Sequence, residues 1–450
     1  MNHLGKTKTI SICFLLVFCV TVPLAAVGQQ VNDSVTSLSL RQCINYALQH
    51  QPALQQSMIR TEITKASNAI SQSGWYPQVG LTANLNHYLQ RPTALSNING
   101  VETPIQTSVV NTSTPGIGVT QNIFNPSLIY ATRLAPLNTK AAQQSVDSSK
   151  IDLVANVSIT FYGLLLTLQQ IDVLKEDTAR LGESMRTAYH QYVGGIVDET
   201  DYEQAQITLN TSLGQLVQAI ENVRPQYAAL KQFMGYPQEQ QFNVTYDSTA
   251  MLKDIDIDIS EPLQYEKRIE LKQLTVQKAM QHELTRYYEK TAIFPSLSAF
   301  FNYNAAFQNN NFDKLYNAAY PNSMIGLTLS LPLFTGFNRI QNAHRSRLQE
   351  QVLDWSETNL RSTIYSQYAT ALASYKSNVY NMRQLKENVA LAKRVYFVVD
   401  LQYKQGIVPY LNVITAESNL RTSQLTYLNA LFQTLSSKID WQKAMGDITY

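Results

Sequence analysis

Residues 325–334 read IGLTLSLPLF, and a large apolar residue stands at every second position, with Gly, Thr, Ser and Pro between them. Successive side chains of a β-strand point to opposite faces, so this period predicts a strand with one oily face and one polar face. The flanking sequence lacks the alternation and is rich in Gln, Asn, Ala, Leu and Tyr. A clean strand therefore lies within a chain that otherwise reads as helical.

The chain reads as two copies of one unit. The clearest match is YVGGIV at 192–197 with YKQGIV at 403–408. A repeated order of matches predicts an internal duplication. We therefore expect a first structural repeat over 29–240 and a second over 241–450. Three further pairs follow the same order at nearly the same spacing: 75–77 with 293–295, 117–120 with 325–328, and 234–235 with 445–446.

Each repeat has the same predicted elements: a helix, two strands separated by a polar loop, a very long helix and a returning helix. The loop over 92–114 is rich in Asn, Thr, Ser and Pro. The predicted strands lie near 76–90, 114–124, 295–308 and 323–334. The predicted helices span roughly 38–72, 127–192 and 199–234 in the first repeat, and 262–291, 337–404 and 411–445 in the second.

The predicted helices carry a heptad pattern. Apolar residues step by four and three through Leu209, Leu213, Leu216 and Ile220 to Met234, and again from 385 to 403. This spacing is typical of helices packed as coiled coils. Pro225 is expected to kink or end the first of these helices. At 1.5 Å per residue, a helix of about 65 residues reaches on the order of 100 Å, which suits a conduit wall better than a compact globule.

The strands resemble those of an outer-membrane barrel. They alternate apolar residues with Thr, Asn, Ser and Gly, and such alternation with aromatic residues at the strand ends is typical of that class. A soluble sheet with its oily face against helices is the alternative that alternation leaves open, although the polar face suits a wet lumen. The aromatic residues at the strand ends are Trp75, Tyr76, Tyr88, Phe124, Phe294, Phe307, Phe334 and Phe337.

Four strands cannot close a barrel around an open interior. An open sheet in lipid would leave unpaired edges, so the barrel has to be shared between subunits. Three chains give twelve strands, and the internal duplication then gives pseudo-sixfold symmetry. We expect an α+β chain built from a duplicated helix–β-hairpin–long-helix unit, with a shared transmembrane β-barrel of four strands per chain; the family resemblance given below implies that the long helices form a periplasmic α-helical barrel.

The N-terminus reads as a secretory signal peptide over residues 1–28. Lys6 and Lys8 precede a short apolar run, and small residues follow it. Removing this segment leaves 33 basic and 33 acidic residues. The mature chain therefore has no excess of basic charge that would predict a nucleic-acid partner. Only Cys43 remains in the mature chain, which excludes a disulfide-stapled module. No long apolar run follows the signal.

Motifs for chemistry are missing from the sequence. The six histidines are scattered without ligand spacing, and there is no phosphate-binding loop or nucleophile elbow. Asp254, Asp256 and Asp258 stand at every second position in a short stretch between the two repeats. This pattern predicts a solvated linker more readily than a cation site. We therefore expect no enzyme activity, no metal and no cofactor.

The whole mature chain resembles the TolC-type outer-membrane efflux proteins. The resemblance is carried by the duplicated plan and by the order of several short motifs. It implies a homotrimer in the outer membrane of a Gram-negative bacterium, with a helical tunnel in the periplasm. It also implies contact with a periplasmic adaptor, an inner-membrane pump and outer-membrane lipid. The motifs are LSL at 38–40, PAL at 52–54, YP at 76–77, PLFTGF at 332–337, and YKQG at 403–406 followed by Leu411, Ile414 and Ala416.

The resemblance also implies where the functional residues lie. The helix-to-helix turns form the periplasmic tip, and their exposed apolar residues are expected to contact the adaptor. The positions that carry acidic pore rings in the family are neutral in the second repeat, so an acidic ring would come from the first. The expected tip residues are Tyr192, Gly195, Ile196, Val197, Tyr403, Gly406, Ile407 and Val408. The expected constriction residues are Asp198, Asp201, Asn412 and Thr415.

The sequence therefore predicts a passive exit duct of a tripartite efflux pump that conducts small molecules and opens at its tip. An export duct of a type I protein secretion system shares this architecture and is the first alternative. A non-conducting coiled-coil surface protein is an alternative from a different class, and the barrel-type strands go against it. For the acidic residues near Asp198, a role at a helix N-terminus competes with a role in the pore.

Overall fold

The computed structural model describes residues 36–98, 100–245, 255 and 261–450. The predicted signal peptide and the aspartates at 254, 256 and 258 lie outside the described residues. The strands are β1 (Thr36–Leu38), β2 (Gln78–His87), β3 (Thr93–Ile98), β4 (Val101–Gln106), β5 (Asn111–Phe124), β6 (Phe242–Val244), β7 (Ser296–Asn309) and β8 (Ala319–Ser330). The helices are α1 (Leu40–His50), α2 (Pro52–Gln72), α3 (Pro126–Val193), α4 (Glu199–Met234), α5 (Ile269–Arg286), α6 (Asn338–Lys404) and α7 (Tyr410–Met445).

The main sheet is antiparallel and has the order β2-β5-β7-β8. Its register runs from Gln78 opposite Thr120 in the first pair to Ser296 opposite Ser330 in the last. Within the described part of the chain, β2 and β8 each have one strand partner in this sheet. Every residue of β2 is exposed, and the apolar side chains of β8 are exposed as well. The alternation of the sequence therefore leaves an oily face uncovered in the single chain.

Two predictions in the sheet region were wrong, one strand end and one loop. The last strand ends at Ser330, although the prediction extended it to 334. Pro332 has no backbone N–H to donate, so the ladder stops while the apolar alternation continues. The predicted loop 92–114 contains the antiparallel hairpin of β3 and β4. The dipeptide Asn99-Gly100 is a strong hairpin signal in the sequence, and Gly100 has φ +84°.

The long helices begin with clear local signals. Pro126 occupies the first turn of α3, and the Asn125 side chain accepts hydrogen bonds from the N–H groups of Ser127 and Leu128. Helix α3 has 68 residues and α6 has 67, so each spans about 100 Å. Helix α4 continues through Pro225, so of the two predicted effects the helix end was wrong, and the kink stays a prediction. One missing N–H costs one hydrogen bond, and packing on both sides of Pro225 holds the helix.

The hydrophobic core lies where α1, α3, α4 and α7 meet. Val157, Leu164, Leu230 and Leu435 are almost fully buried there. Leu213 and Ile220 of the predicted α4 seam are exposed in the single chain, so they take no part in packing within it. The seam that packs inside the chain is offset by one residue and uses small side chains, which allow a close helix approach. Its buried small residues are Ala205, Ser212 and Ala219.

Helix α3 also carries an apolar stretch that the sequence analysis missed. Among the described helices it alone is long and apolar enough to cross a membrane by length and composition. Its most apolar window is 56% buried inside the protein. Burial of this kind is typical of a core helix.

Candidate functional site

The two helix-to-helix turns have the same backbone geometry. Gly195 lies between α3 and α4 with φ +68°, and Gly406 lies between α6 and α7 with φ +70°. The N–H of Ile196 donates to Gln191 O at 2.8 Å, and the N–H of Ile407 donates to Gln402 O at 2.9 Å. This is the bond pattern of a Schellman helix end, which needs a residue that tolerates positive φ.

The turns present apolar side chains to solvent. Ile196 is 75% exposed and Ile407 is 70% exposed. Val197 and Val408 are half-buried, and Val408 packs against a small apolar cluster at this end of the molecule. An isoleucine in the same place on two separate turns forms an apolar patch that water does not favour.

The two turn tyrosines differ in their surroundings. The Tyr403 side chain is almost fully buried, its hydroxyl donates to Gln191 Oε1, and its ring packs 5.3 Å from the Tyr410 ring. Burial raises the pKa of Tyr403, and the charge of Asp201 adds to the effect. Tyr192 lies at the surface, with its ring stacked against Tyr202 at 6.4 Å.

The structure brings the two turns side by side. Ala188 of α3, Ala205 of α4 and Val413 of α7 share one buried cluster with Tyr403 and Tyr410. Residues from both predicted repeats therefore pack together at this end of the molecule. A shared buried cluster therefore holds the helix ends of both turns together.

The predicted constriction residues lie at the N-terminal ends of two helices, α4 and α7. Asp198 precedes α4 and Asp201 lies in its first turn, where the helix dipole favours negative charge. Asn412 and Thr415 are exposed on α7, and the Thr415 hydroxyl donates to Leu411 O at 2.9 Å. The structure thus places acidic residues on α4 and neutral ones on α7.

A buried group of charges near this end was missed by sequence reasoning. Asp177 and Arg180 of α3 meet Glu417 and Arg421 of α7. The i,i+3 and i,i+4 spacings were visible in the sequence, but the pairing across some 240 residues was not. Among the described residues, no three His, Cys, Asp or Glu side chains gather where they would hold a metal ion.

Comparison with known proteins places the chain among outer-membrane channels. The family model described as outer membrane efflux protein matches residues 43–236 and 286–447. The outer membrane protein TolC of Vibrio cholerae is 20% identical over 94% of each chain. A toxin and drug export protein of Aggregatibacter actinomycetemcomitans is 20% identical over 66% of this chain and 65% of its own length.

Solved structures of the same kind share the fold. The outer membrane protein VceC of Vibrio cholerae superposes with a TM-score of 0.72 at 15% identity and covers 90% of this chain and 96% of its own. CusC, whose structures concern transmembrane channel formation, gives a TM-score of 0.74 at 16% identity over 91% of this chain and 92% of its own. At these identities the likeness concerns the fold.

Proposed function

Because the chain belongs to the outer membrane efflux protein family, we propose that it is the outer-membrane exit duct of a tripartite efflux pump. Three copies form one channel, and exported small molecules pass through it passively. The energy for transport comes from the inner-membrane pump, since the sequence of the duct carries no catalytic constellation. The two predicted repeats, 29–240 and 241–450, each contribute a β-hairpin to the membrane part and a helical pair to the tunnel.

The uncovered oily face of the main sheet is the observation that carries this proposal. Ile325 of β8 is 81% exposed, and Leu81 of β2 is 74% exposed. A soluble chain would lose about 25 cal/mol for each Å² of such apolar surface left in water. Lipid covers the oily face, and closure with neighbouring copies pairs the outer strands. Twelve strands from three chains are then enough for a barrel with a wet lumen.

The channel opens where the helix turns meet. Ile196 and Ile407 are the proposed contact points for a periplasmic adaptor, because an exposed apolar patch at a helix end calls for a partner. Asp198, Asp201, Asn412 and Thr415 narrow the closed entrance. Threefold repetition of Asp201 places like charges close together and favours cations. The remaining proposed contacts at the tip are Tyr192, Gly195, Val197, Gly406 and Val408, whereas the predicted contact Tyr403 is buried and supports the turn from inside.

One relative favours a second cargo class. The relative from Aggregatibacter actinomycetemcomitans is named as a toxin and drug export protein, so an export duct for proteins is the second candidate. The same channel serves both cargoes, because a duct of this size contacts its cargo loosely. A coiled-coil surface protein would have no use for the exposed oily sheet.

The first test is membrane fractionation of cells that produce the full chain, followed by detergent extraction and mass determination of the intact particle. We expect a particle in the outer membrane with three times the mass of the mature chain. In planar bilayers the particle is expected to conduct ions, with cations preferred. A soluble monomer would overturn the duct and its tip and constriction residues together.

A further inference from the structure

A buried charge cluster joins α3, α4 and α7 beside the proposed constriction. Asp177 is 0% exposed and Glu417 is 1% exposed. Arg180 Nε donates to Glu417 Oε1 at 3.2 Å, and Arg421 Nη1 donates to Asp177 Oδ2 at 3.1 Å. The Ser212 hydroxyl of α4 donates to the same Asp177 oxygen at 2.7 Å. We call these five residues the clasp.

The clasp is an unusual way to hold helices together. Two carboxylates out of water are costly, and apolar residues of similar volume often pack at least as stably. The helix contacts on either side of the clasp are apolar, through Leu174 and Ala219 on one side and Ala188 and Val413 on the other. Packing strength alone therefore does not account for buried charges at this level.

Charged and titratable groups surround Glu417 on every side. Among the described residues, Asp177 is the carboxylate that acts directly on it, and the two guanidinium groups oppose that effect. Burial, followed by the Asp177 charge, raises the pKa of Glu417 to about 7. Helix α3 contributes Asp177, Arg180 and Glu176, which pairs with Arg180, and α4 contributes Ser212. Helix α6 contributes Tyr396 and Asp400, whose charge acts on Tyr396, and α7 contributes Tyr410 and Arg421.

Glu417 and Arg421 of the clasp lie on α7, the helix that also carries two of the proposed constriction residues. Thr415 precedes Glu417 by two positions, and Asn412 precedes it by five. At 1.5 Å per residue these separations are about 3 Å and 7.5 Å along α7. Because both residues belong to one helix, a movement of α7 that carries Thr415 away from the entrance also displaces Glu417 relative to Arg180 of α3. In the proposed open arrangement the Glu417 carboxyl meets water.

We propose that Glu417 is a positioning residue of the entrance: the clasp holds α7 in the closed arrangement, and protonation of Glu417 tightens it, so that acid favours the closed channel. This inference rests on the proposed opening at the tip. It assigns a role to a residue that touches neither cargo nor adaptor. It also names the proton as the signal that the closed arrangement senses.

The sign follows from proton linkage. The packed carboxyl binds its proton near pH 7, whereas a carboxyl in water binds it near the ordinary value of 4.5. Between these two values the closed state binds more protons than the open state, so lowering the pH stabilises the closed state. Each pH unit in this window changes the closed-to-open ratio by up to tenfold. From pH 8 to pH 6 the expected change is about tenfold.

The test compares the full-length wild type with E417Q and E221Q in planar bilayers at pH 8 and pH 6. The amide that E417Q introduces is neutral at both values and keeps an oxygen for Arg180, so this variant should be as closed at pH 8 as the wild type is at pH 6. Glu221 is exposed on α4 and serves as the matched control. The wild type and E221Q are expected to open about tenfold less often at pH 6 than at pH 8.

A second measurement needs no substitution and no conduction. Carbodiimide labelling of the Glu417 carboxyl in the wild type, read by mass spectrometry and normalised to the exposed Glu221, should show about tenfold more protection at pH 6 than at pH 8. Equal protection at both pH values, or an unchanged pH response of opening in E417Q, overturns the role of Glu417 and leaves the duct intact. A particle that never conducts at any pH overturns the proposed function itself.

Discussion

The substitution I325K tests whether the apolar face of the main sheet contacts lipid or water. Ile325 is 81% exposed and lies in the middle of the twelve-residue strand β8, opposite Phe301. A lysine on the lipid face near the bilayer midplane costs about 2–4 kcal/mol. The same lysine on a soluble exposed strand changes stability by about 0.5 kcal/mol or less. The two environments therefore predict effects that differ several-fold for one substitution.

The assay is urea unfolding of the protein reconstituted in lipid vesicles, with the free energy of unfolding expressed per chain. T328K is the matched control, because Thr328 lies on the same strand and its side chain points to the other face. We expect I325K to lose about 2–4 kcal/mol and T328K to stay close to wild type. Equal effects of the two lysines, or a small loss in both, would refute the placement of lipid on the Ile325 face.

Three further outcomes are expected. G406A should lower the free energy of unfolding by about 1–2 kcal/mol, because φ is +70° and the added Cβ meets open space; G446A should lose more, because its Cβ would also lie 3.0 Å from the Lys267 backbone, and denaturant curves of both variants check this order. Burial raises the pKa of Cys43 to about 12, so the thiol stays protonated and a maleimide at pH 8 should label it in urea only, as mass spectrometry would show. The double variant I196S/I407S should fold as wild type yet lose adaptor binding and export in a pull-down and an efflux assay; retained binding would remove the turns from the contact surface.

The strands were readable from the sequence because their signal is local. The alternation in IGLTLSLPLF has a two-residue period, which is visible in the local sequence without knowledge of the strand's neighbours. Its end was harder to place, since the apolar alternation runs past Ser330 while the hydrogen-bonded ladder stops before Pro332. The hairpin near Gly100 was missed for the opposite reason: its Asn-Gly turn was visible, but the flanking strands carry no clear alternation.

The helix contacts were less readable, because packing selects among several possible faces. Leu213 and Ile220 continue a perfect heptad, yet the face of α4 that packs on α3 uses Ala205 and Ser212 instead. Small side chains carry little hydrophobic signal in a sequence, although they permit the closest helix approach. The clasp around Glu417 was invisible for a related reason, since its partners come from distant parts of the chain and are recognisable only in three dimensions.

Three exposed apolar surfaces of the single chain differ in shape, and we expect a different partner to cover each of them. The oily face of the main sheet is broad, which suits a fluid solvent such as lipid. The stripe through Leu213 and Ile220 on α4 is narrow and keeps the heptad spacing, so its complement is another helix with the same spacing. The patch at Ile196 and Ile407 is small and lies on two adjacent turns, where a helix end of a second protein fits better than lipid does. One chain therefore leaves three kinds of apolar surface in water, and the proposed exit duct would cover them with lipid, with further copies of the chain and with an adaptor.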